Sequence, residues 1–404
     1  MTRSPDVVVD VAILGGGIAG LWLLDRLQRE GFSAALFEAH ELGAGQSVAA
    51  QGIIHGGTKY TFGFVLDSAV KELRQMPATW GESLRGATGP DLSRARTLSS
   101  RTYMWVPQQL GGGLLGTFSR LIMRSRVESL ARSDWPDGLA SPSAAGAVYA
   151  LDELVLDMPS VLEALRANHS ERIRRIPERE GRSALSFSPG DGVLQVGHLS
   201  VAAQRVVFAA GAGNEELLGL AGIEGVSHQR RPLHQLLIGG MKQPLYAHCV
   251  GKSTKPLATV TAHPSSQGDY VWYIGGLMAE SGVSESEAEL IQRAGRELPQ
   301  LFPAADFSAA RWATFRIDRA EGAVGGGRRP GGPMVDSRGR CIVVWPTKLT
   351  LAPALSQRVV ELLQREGVKP GATQIEGCDG IQALAGLAEP EVARPPWEGV
   401  EKWS

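Results

Sequence analysis

The sequence predicts an α/β protein in which a parallel-sheet domain is interleaved with an antiparallel-sheet domain. The prediction rests on a strand–glycine–helix–strand unit at the N-terminus, on two further α/β stretches far along the chain, and on longer strands with aromatic alternation between them. With 404 residues, the chain exceeds the size, about 250–300 residues, at which one hydrophobic core stops growing. Two or three domains are expected.

The opening unit starts with a β-branched, apolar strand over residues 7–14 and runs through the glycines of residues 15–20 into a helix over 21–30. That helix carries Leu23, Leu24 and Leu27 on one side and Asp25, Gln28 and Arg29 on the other, and Gly31 ends it. A strand over 33–37 completes a βαβ unit. The second α/β stretch begins near Leu154, with an amphipathic helix over 158–169 opened by Pro159 and Ser160. It closes with a buried-type strand over 205–210 that runs into Gly211, Gly213 and Asn214. The third has a strand over 341–345 and a helix over 353–365. Residues 1–85, 151–228 and 325–390 are therefore assigned to the parallel-sheet domain. Strands over 233–238, 245–250, 257–262, 270–275 and 312–317 suit an antiparallel sheet, so residues 86–150 and 229–324 are assigned to the second domain. Proline- and glycine-rich joints at 133–146 and 320–333, and a tail of 391–404 continuing a proline- and glutamate-rich run from 388, read as domain boundaries or exposed loops.

Composition excludes several functions. Lys+Arg number 41 and Asp+Glu 42, so no global positive field exists to hold nucleic acid or an anionic membrane. The arginines of residues 172–175 read as a solvated face. The longest uncharged apolar stretch, 11–24, is shorter than the roughly 20 residues of a membrane helix; with aspartates before it, it does not read as a signal peptide either. Cys249, Cys341 and Cys378 lie far apart without CxxC spacing, which fits a reducing, cytoplasmic compartment better than a disulfide framework. No His and carboxylate cluster has metal-ligand spacing, so no metal is expected.

Gly15-Gly16-Gly17-Ile18-Ala19-Gly20 satisfies the GxGxxG fingerprint between a strand and a helix. There the bare backbone can approach a diphosphate and meet it with amide N–H groups and the positive helix end. Glu38 ends the second strand, placed to accept ribose hydroxyls. Together they predict a Rossmann-like dinucleotide site. The run 43–57, GAGQSVAAQGIIHGG, is small, hydroxylated and glycine-rich, so its backbone can lie against a flat ligand.

Here the chain resembles the D-amino-acid oxidase superfamily of FAD enzymes, which includes glycine oxidase, sarcosine oxidase and glycerol-3-phosphate dehydrogenase; Ile53 to Gly57 with Lys59 and Tyr60 looks most like the last. Val206 to Gly211 is similar to the strand that returns to FAD, Trp312 to Arg316 to the strand whose arginine holds a substrate carboxylate, and Leu351-Ala352-Pro353 to the start of the last helix. The resemblance implies non-covalent FAD held by Gly15, Gly17, Ile18, Ala19, Gly20, Glu38, Ala39, Gln46, Ser47, Gln51, Gly52, Ile53, Ala210, Gly211, Thr347, Lys348, Leu349 and Thr350. The chain departs from the family at Trp345-Pro346-Thr347-Lys348, where a glycine-rich turn is usual, and in a longer basic loop ending in Arg328 and Arg329.

Each candidate also has a structural reading. Arg316 either binds a substrate carboxylate or pairs with Asp318 or Glu321, since a guanidinium on an apolar strand needs a partner. Lys348 either offsets the negative charge that develops on a reduced flavin or contacts oxygen, or it is a solvated loop lysine. His55 is either the base an alcohol substrate requires or a hydrogen-bonding spacer. His248 and Tyr273 are either substrate contacts in the cavity roof or core. The function implied is hydride transfer from the α-carbon of a small amino acid or secondary amine to flavin N5, with O2 or a quinone as acceptor. The alternatives are a hydroxy-acid or polyol phosphate dehydrogenase, and a tRNA-modifying or redox-sensing flavoprotein. Oligomeric state stays open.

Overall fold

The computed structural model describes residues 4–56, 68–108, 127–142, 144–179, 182–188, 190–251, 255–324, 330–371 and 380–404. Two eight-stranded sheets dominate it. In the first, Val7–Leu14 lies parallel to Ala34–Glu38 on one side and to Leu199–Phe208 on the other. Ile173–Arg175 extends the sheet beyond Ala34–Glu38, and Cys341–Trp345 runs parallel to the end of Leu199–Phe208.

Both faces of this sheet are covered, which is why its strands read as unbroken apolar runs. Val11, Ile13, Leu36, Val207 and Ile342 pack with helices Ile18–Arg29, Met158–Asn168 and Ala352–Arg365. The alternate residues Ala12, Leu14, Phe37, Val206 and Val343 form a separate core on the other side.

The second sheet runs in the order Arg311–Gly322, His228–Met241, Tyr270–Gly275, Pro256–Pro264, Ala247–Val250, Thr102–Pro107, Gly146–Leu151, Val127–Ser129. All its pairings are antiparallel except Ala247–Val250 with Thr102–Pro107. One face packs on helix Glu287–Leu301, with Leu236, Ile238, Trp272 and Ile274 against Leu290, Ala294 and Leu298. A serine capping box at Ser286 and Glu289 starts that helix. The other face carries Leu237, Val271, Tyr273 and Ala313 and meets the loop that follows Ala34–Glu38.

Two expectations about exposure fail. The C-terminal tail is packed: Leu42 and Val392 form a bridge, Trp397, Val400 and Trp403 lie on the Leu237–Tyr273 face, and Ser404 exchanges two backbone hydrogen bonds with Trp312. Its aromatics supply the burial that its proline and glutamate content concealed. Arg174, read as part of a solvated face, is 6% exposed and donates to the carbonyls of Leu384, Ser170 and Ile173 at 2.7 Å. Arg328, Arg329, Lys59, Tyr60 and Cys378 lie outside the described residues.

Candidate active site

The glycine turn and the strand end beside it form the first half of the site. Gly15 has φ +114°, and a Cβ there would stand 2.6 Å from the backbone of Ala209 and Ala210. Only glycine lets these chain segments meet. Helix Ile18–Arg29 opens at Gly17 with no side chain of its own over the first amides, and Ser47 Oγ accepts the Ile18 N–H at 2.9 Å. Glu38 Oε2 accepts the Gly16 N–H at 2.5 Å and Oε1 the His40 N–H at 2.9 Å. The carboxylate thus fixes the turn through one lone pair on each oxygen and keeps the others for hydroxyl donors. Asn214, fully buried, accepts from Ala210 N at 2.8 Å and donates to Val344 O at 3.1 Å, holding two strand ends level beside Gly15. Its only sequence signal is its place after Gly211 and Gly213.

The second half is the loop of residues 43–56 and what it touches. Gln46 Nε2 reaches Ala320 O at 3.3 Å, and Gln51 Nε2 reaches Tyr273 O at 2.9 Å and Thr259 O at 3.1 Å. These side-chain amides tie the loop to the antiparallel sheet. Gly52, Ile53 and Ile54 continue to His55, whose N–H donates to Thr350 Oγ1 at 3.3 Å. His55 is thereby brought to the turn of Leu349–Leu351 that precedes helix Ala352–Arg365. Just before that turn Thr347 has φ +65° and donates to Gly332 O at 2.9 Å. Lys348 is 8% exposed, so the reading of a solvated lysine is corrected.

Three other candidates are corrected too. Arg316 is exposed, and its guanidinium donates to the carbonyls of Val283, at 2.8 Å, and Glu285. Strand alternation is the cause: Arg316 pairs across to His234, whose ring contacts Thr314 Oγ1 and Gly282 O, so this row faces the region before helix Glu287–Leu301. Neither proposed carboxylate partner is used, because Asp318 lies 3.8 Å from Arg230 and Glu321 pairs with Arg231. Tyr273 is fully buried and its hydroxyl donates to Ala49 O at 2.6 Å, a fastener for the loop. Burial pushes that phenol well above its ordinary value. His248, 2% exposed, has its ring nitrogens on Thr259 Oγ1 at 3.2 Å and Glu153 Oε2 at 3.3 Å, inside the protein.

The cation that sequence reading missed is Arg319. It stands on the opposite row to Arg316, in register with Ala313 and Phe315, and donates to Glu280 Oε1 at 3.0 Å. Lys255 binds the same carboxylate at 2.8 Å. Burial opposes ionisation of Glu280, but hydrogen bonds from Lys255 and Arg319 outweigh it and hold the carboxyl below its ordinary value. Strand alternation puts Arg319 on the row opposite Arg316.

The turn with its glycine cradle, the helix start beside it and the carboxylate at the second strand end fit a dinucleotide, and the tied loop beyond them fits a flat ring system. Residues 10–362 match the model of the family described as DAO, FAD dependent oxidoreductase. The chain belongs to that family. It is 42% identical over 395 residues to a probable FAD-dependent oxidoreductase from Pseudomonas aeruginosa, covering 96% of this chain and 97% of that protein. The crystal structure of that FAD-dependent oxidoreductase aligns with a TM-score of 0.81 at 38% identity, covering 98% and 99% of the two chains. Glycine oxidase from Geobacillus kaustophilus shares the fold with a TM-score of 0.64 at 20% identity over 92% and 97%. L-α-glycerophosphate oxidase from Mycoplasma pneumoniae shares it with 0.63 at 16% over 88% and 95%.

This member is thus an FAD-dependent oxidoreductase. Buried thiols at Cys249 and Cys341, pushed up by burial to about 12 and about 11, lie in the two cores rather than in the loop of residues 43–56. Among the described residues no helix is long and apolar enough to cross a membrane, and none of the His, Cys, Asp and Glu gather as a metal site.

Proposed function

We propose that the protein oxidises a small amino acid or secondary amine bearing a carboxylate, with loss of hydride from the α-carbon and hydrolysis of the resulting imine. Bound FAD supplies acceptance of that hydride at N5, followed by return of the electrons to O2 or to a quinone. Arg319 carries the reading. It is a part-buried guanidinium on the row that holds Ala313 and Phe315, beside the loop tied down by Gln46 and Gln51, and a planar fork in such a place suits a bidentate carboxylate. Lys348, buried at the turn before the final helix, adds a second cation where negative charge develops during reduction. A neutral amine gives up hydride without a base. An alcohol needs its hydroxyl proton removed.

His55 favours a second reading, oxidation of a hydroxy acid or polyol phosphate, because it lies against Thr350 at the same turn. Anaerobic bleaching of the flavin by amino acids, N-methyl amino acids and hydroxy acids tests both. The first reading expects bleaching by the amines, near-normal turnover in His55→Asn, hydrogen peroxide on admitting air if O2 is the acceptor, and Arg319→Ala binding carboxylates about 2 to 5 kcal/mol more weakly. Bleaching by hydroxy acids alone, with turnover collapsing in His55→Asn, would replace it with the second.

A further inference from the structure

We infer that Gln235 is a specificity-determining residue whose side-chain oxygen accepts an N–H from the substrate nitrogen; the inference rests on the amine reading above. Gln235 is 6% exposed, and its Oε1 is buried without a hydrogen-bond partner among the described residues. Native proteins rarely leave such an acceptor unmatched, and one that is unmatched calls for a reason.

The position supplies the reason. Gln235 sits opposite Phe315 and on the same row as Leu237, which pairs with Tyr273. This is the face that meets the flavin-side loop, not the face under helix Glu287–Leu301. The register of Leu236 with Ile274 puts Gln235 beside Gly275. A Cβ at Gly275 would come 2.5 Å from Gln51 Oε1, so the missing side chain makes room for Gln51 directly next to Gln235. Arg319 lies further along the neighbouring strand on the same row as Phe315. The face therefore offers a cation for a carboxylate and an amide oxygen for a donor, the two groups that an α-amino acid or N-methyl amino acid presents together. The edge of an oxidised flavin offers mostly acceptors, with a lone N3–H, so an unmatched acceptor is better suited to the substrate.

The test uses the purified holoenzyme, with ligand binding followed by perturbation of the flavin absorbance. Two carboxylates of matched size are compared: N-methylglycine, under anaerobic conditions, and (methylthio)acetate, in which sulfur removes the N–H. The expected preference for the N–H ligand is about tenfold. Gln235→Leu should abolish the preference while binding (methylthio)acetate as well as before, and Gln235→Glu, which keeps an acceptor, should retain it. A preference that survives Gln235→Leu overturns the inference and leaves the amine reading standing. A shift in the ligand-free flavin spectrum of Gln235→Leu also overturns it, by assigning the acceptor to the cofactor. A wild-type enzyme that N-methylglycine and other amines neither perturb nor bleach defeats the amine reading itself, and the inference with it. If Gln235→Leu does not fold, loss of the preference in Gln235→Met or its persistence there decides the same question.

Discussion

On a single strand, Arg316 and Arg319 present their guanidinium groups to opposite faces of a sheet, and the face decides the chemistry each can take part in. Arg316 is exposed and spends its donors on the carbonyls of Val283 and Glu285. Arg316→Ala should therefore change stability by no more than about 1 kcal/mol and leave carboxylate affinity within a factor of about two of wild type; an affinity loss like that expected for Arg319→Ala would return Arg316 to the site. Gly15 illustrates the other extreme, a residue whose importance lies in having no side chain. With φ at +114° and backbone 2.6 Å from any added Cβ, Gly15→Ala should destabilise the protein by about 1 to 3 kcal/mol. Its purified form should hold less flavin per chain, read as visible absorbance against protein absorbance. Full flavin content would show that the turn does not cradle the cofactor.

Between elements, the decisive contacts run from the loop of residues 43–56 to the antiparallel sheet. Tyr273 donates to Ala49 O, and Gln51 donates to the carbonyls of Tyr273 and Thr259, so the loop's shape depends on a sheet more than two hundred residues later in the chain. Tyr273→Phe leaves the Ala49 carbonyl unmatched. The expected cost is about 1 to 2 kcal/mol, seen as a lower urea midpoint and faster loss of FAD on dilution, with substrate affinity of the flavin-loaded fraction unchanged. A selective loss of substrate affinity would instead make Tyr273 a ligand contact. The same dependence explains what could be read from the sequence. The opening βαβ unit was legible because glycine turn, helix periodicity and Glu38 act within about thirty residues of one another. The face of Arg316 was not, because strand alternation gives two rows but not which row the helix Glu287–Leu301 covers. Tyr273 and His248 read as strand residues; their partners Ala49 and Glu153 come from loops with no periodicity to follow.

At the scale of the whole molecule, the C-terminal tail joins the two sheets. It bridges to Leu42 beside the glycine turn, crosses to the antiparallel sheet, and there sets Trp397 against His263 in a tilted contact with ring centroids 4.2 Å apart. His263 is 2% exposed, and burial, only partly offset by the charge of Asp157, lowers it from its ordinary 6.5 to about 4. Above pH 6.5 this histidine is neutral in both folded and unfolded chains, and its environment costs nothing. As pH falls below 6.5 the unfolded chain binds a proton that the folded chain refuses. Stability is therefore lost across the window from about 6.5 down to about 4, by at most about 3 kcal/mol, and levels off once the folded histidine protonates as well. Deleting residues 396–404 removes Trp397 and Trp403 from the sheet and admits water to His263. At pH 7.5 the truncated protein should be less stable by about 2 to 4 kcal/mol, and the difference should shrink at pH 5, because its uncovered histidine no longer resists protonation. His263→Gln in the full-length chain should flatten the same pH window without uncovering the apolar face. Urea midpoints for the three proteins at the two pH values separate these effects. Equal pH slopes in wild type and His263→Gln would show that the carboxylates, and not this buried histidine, set acid stability in that range.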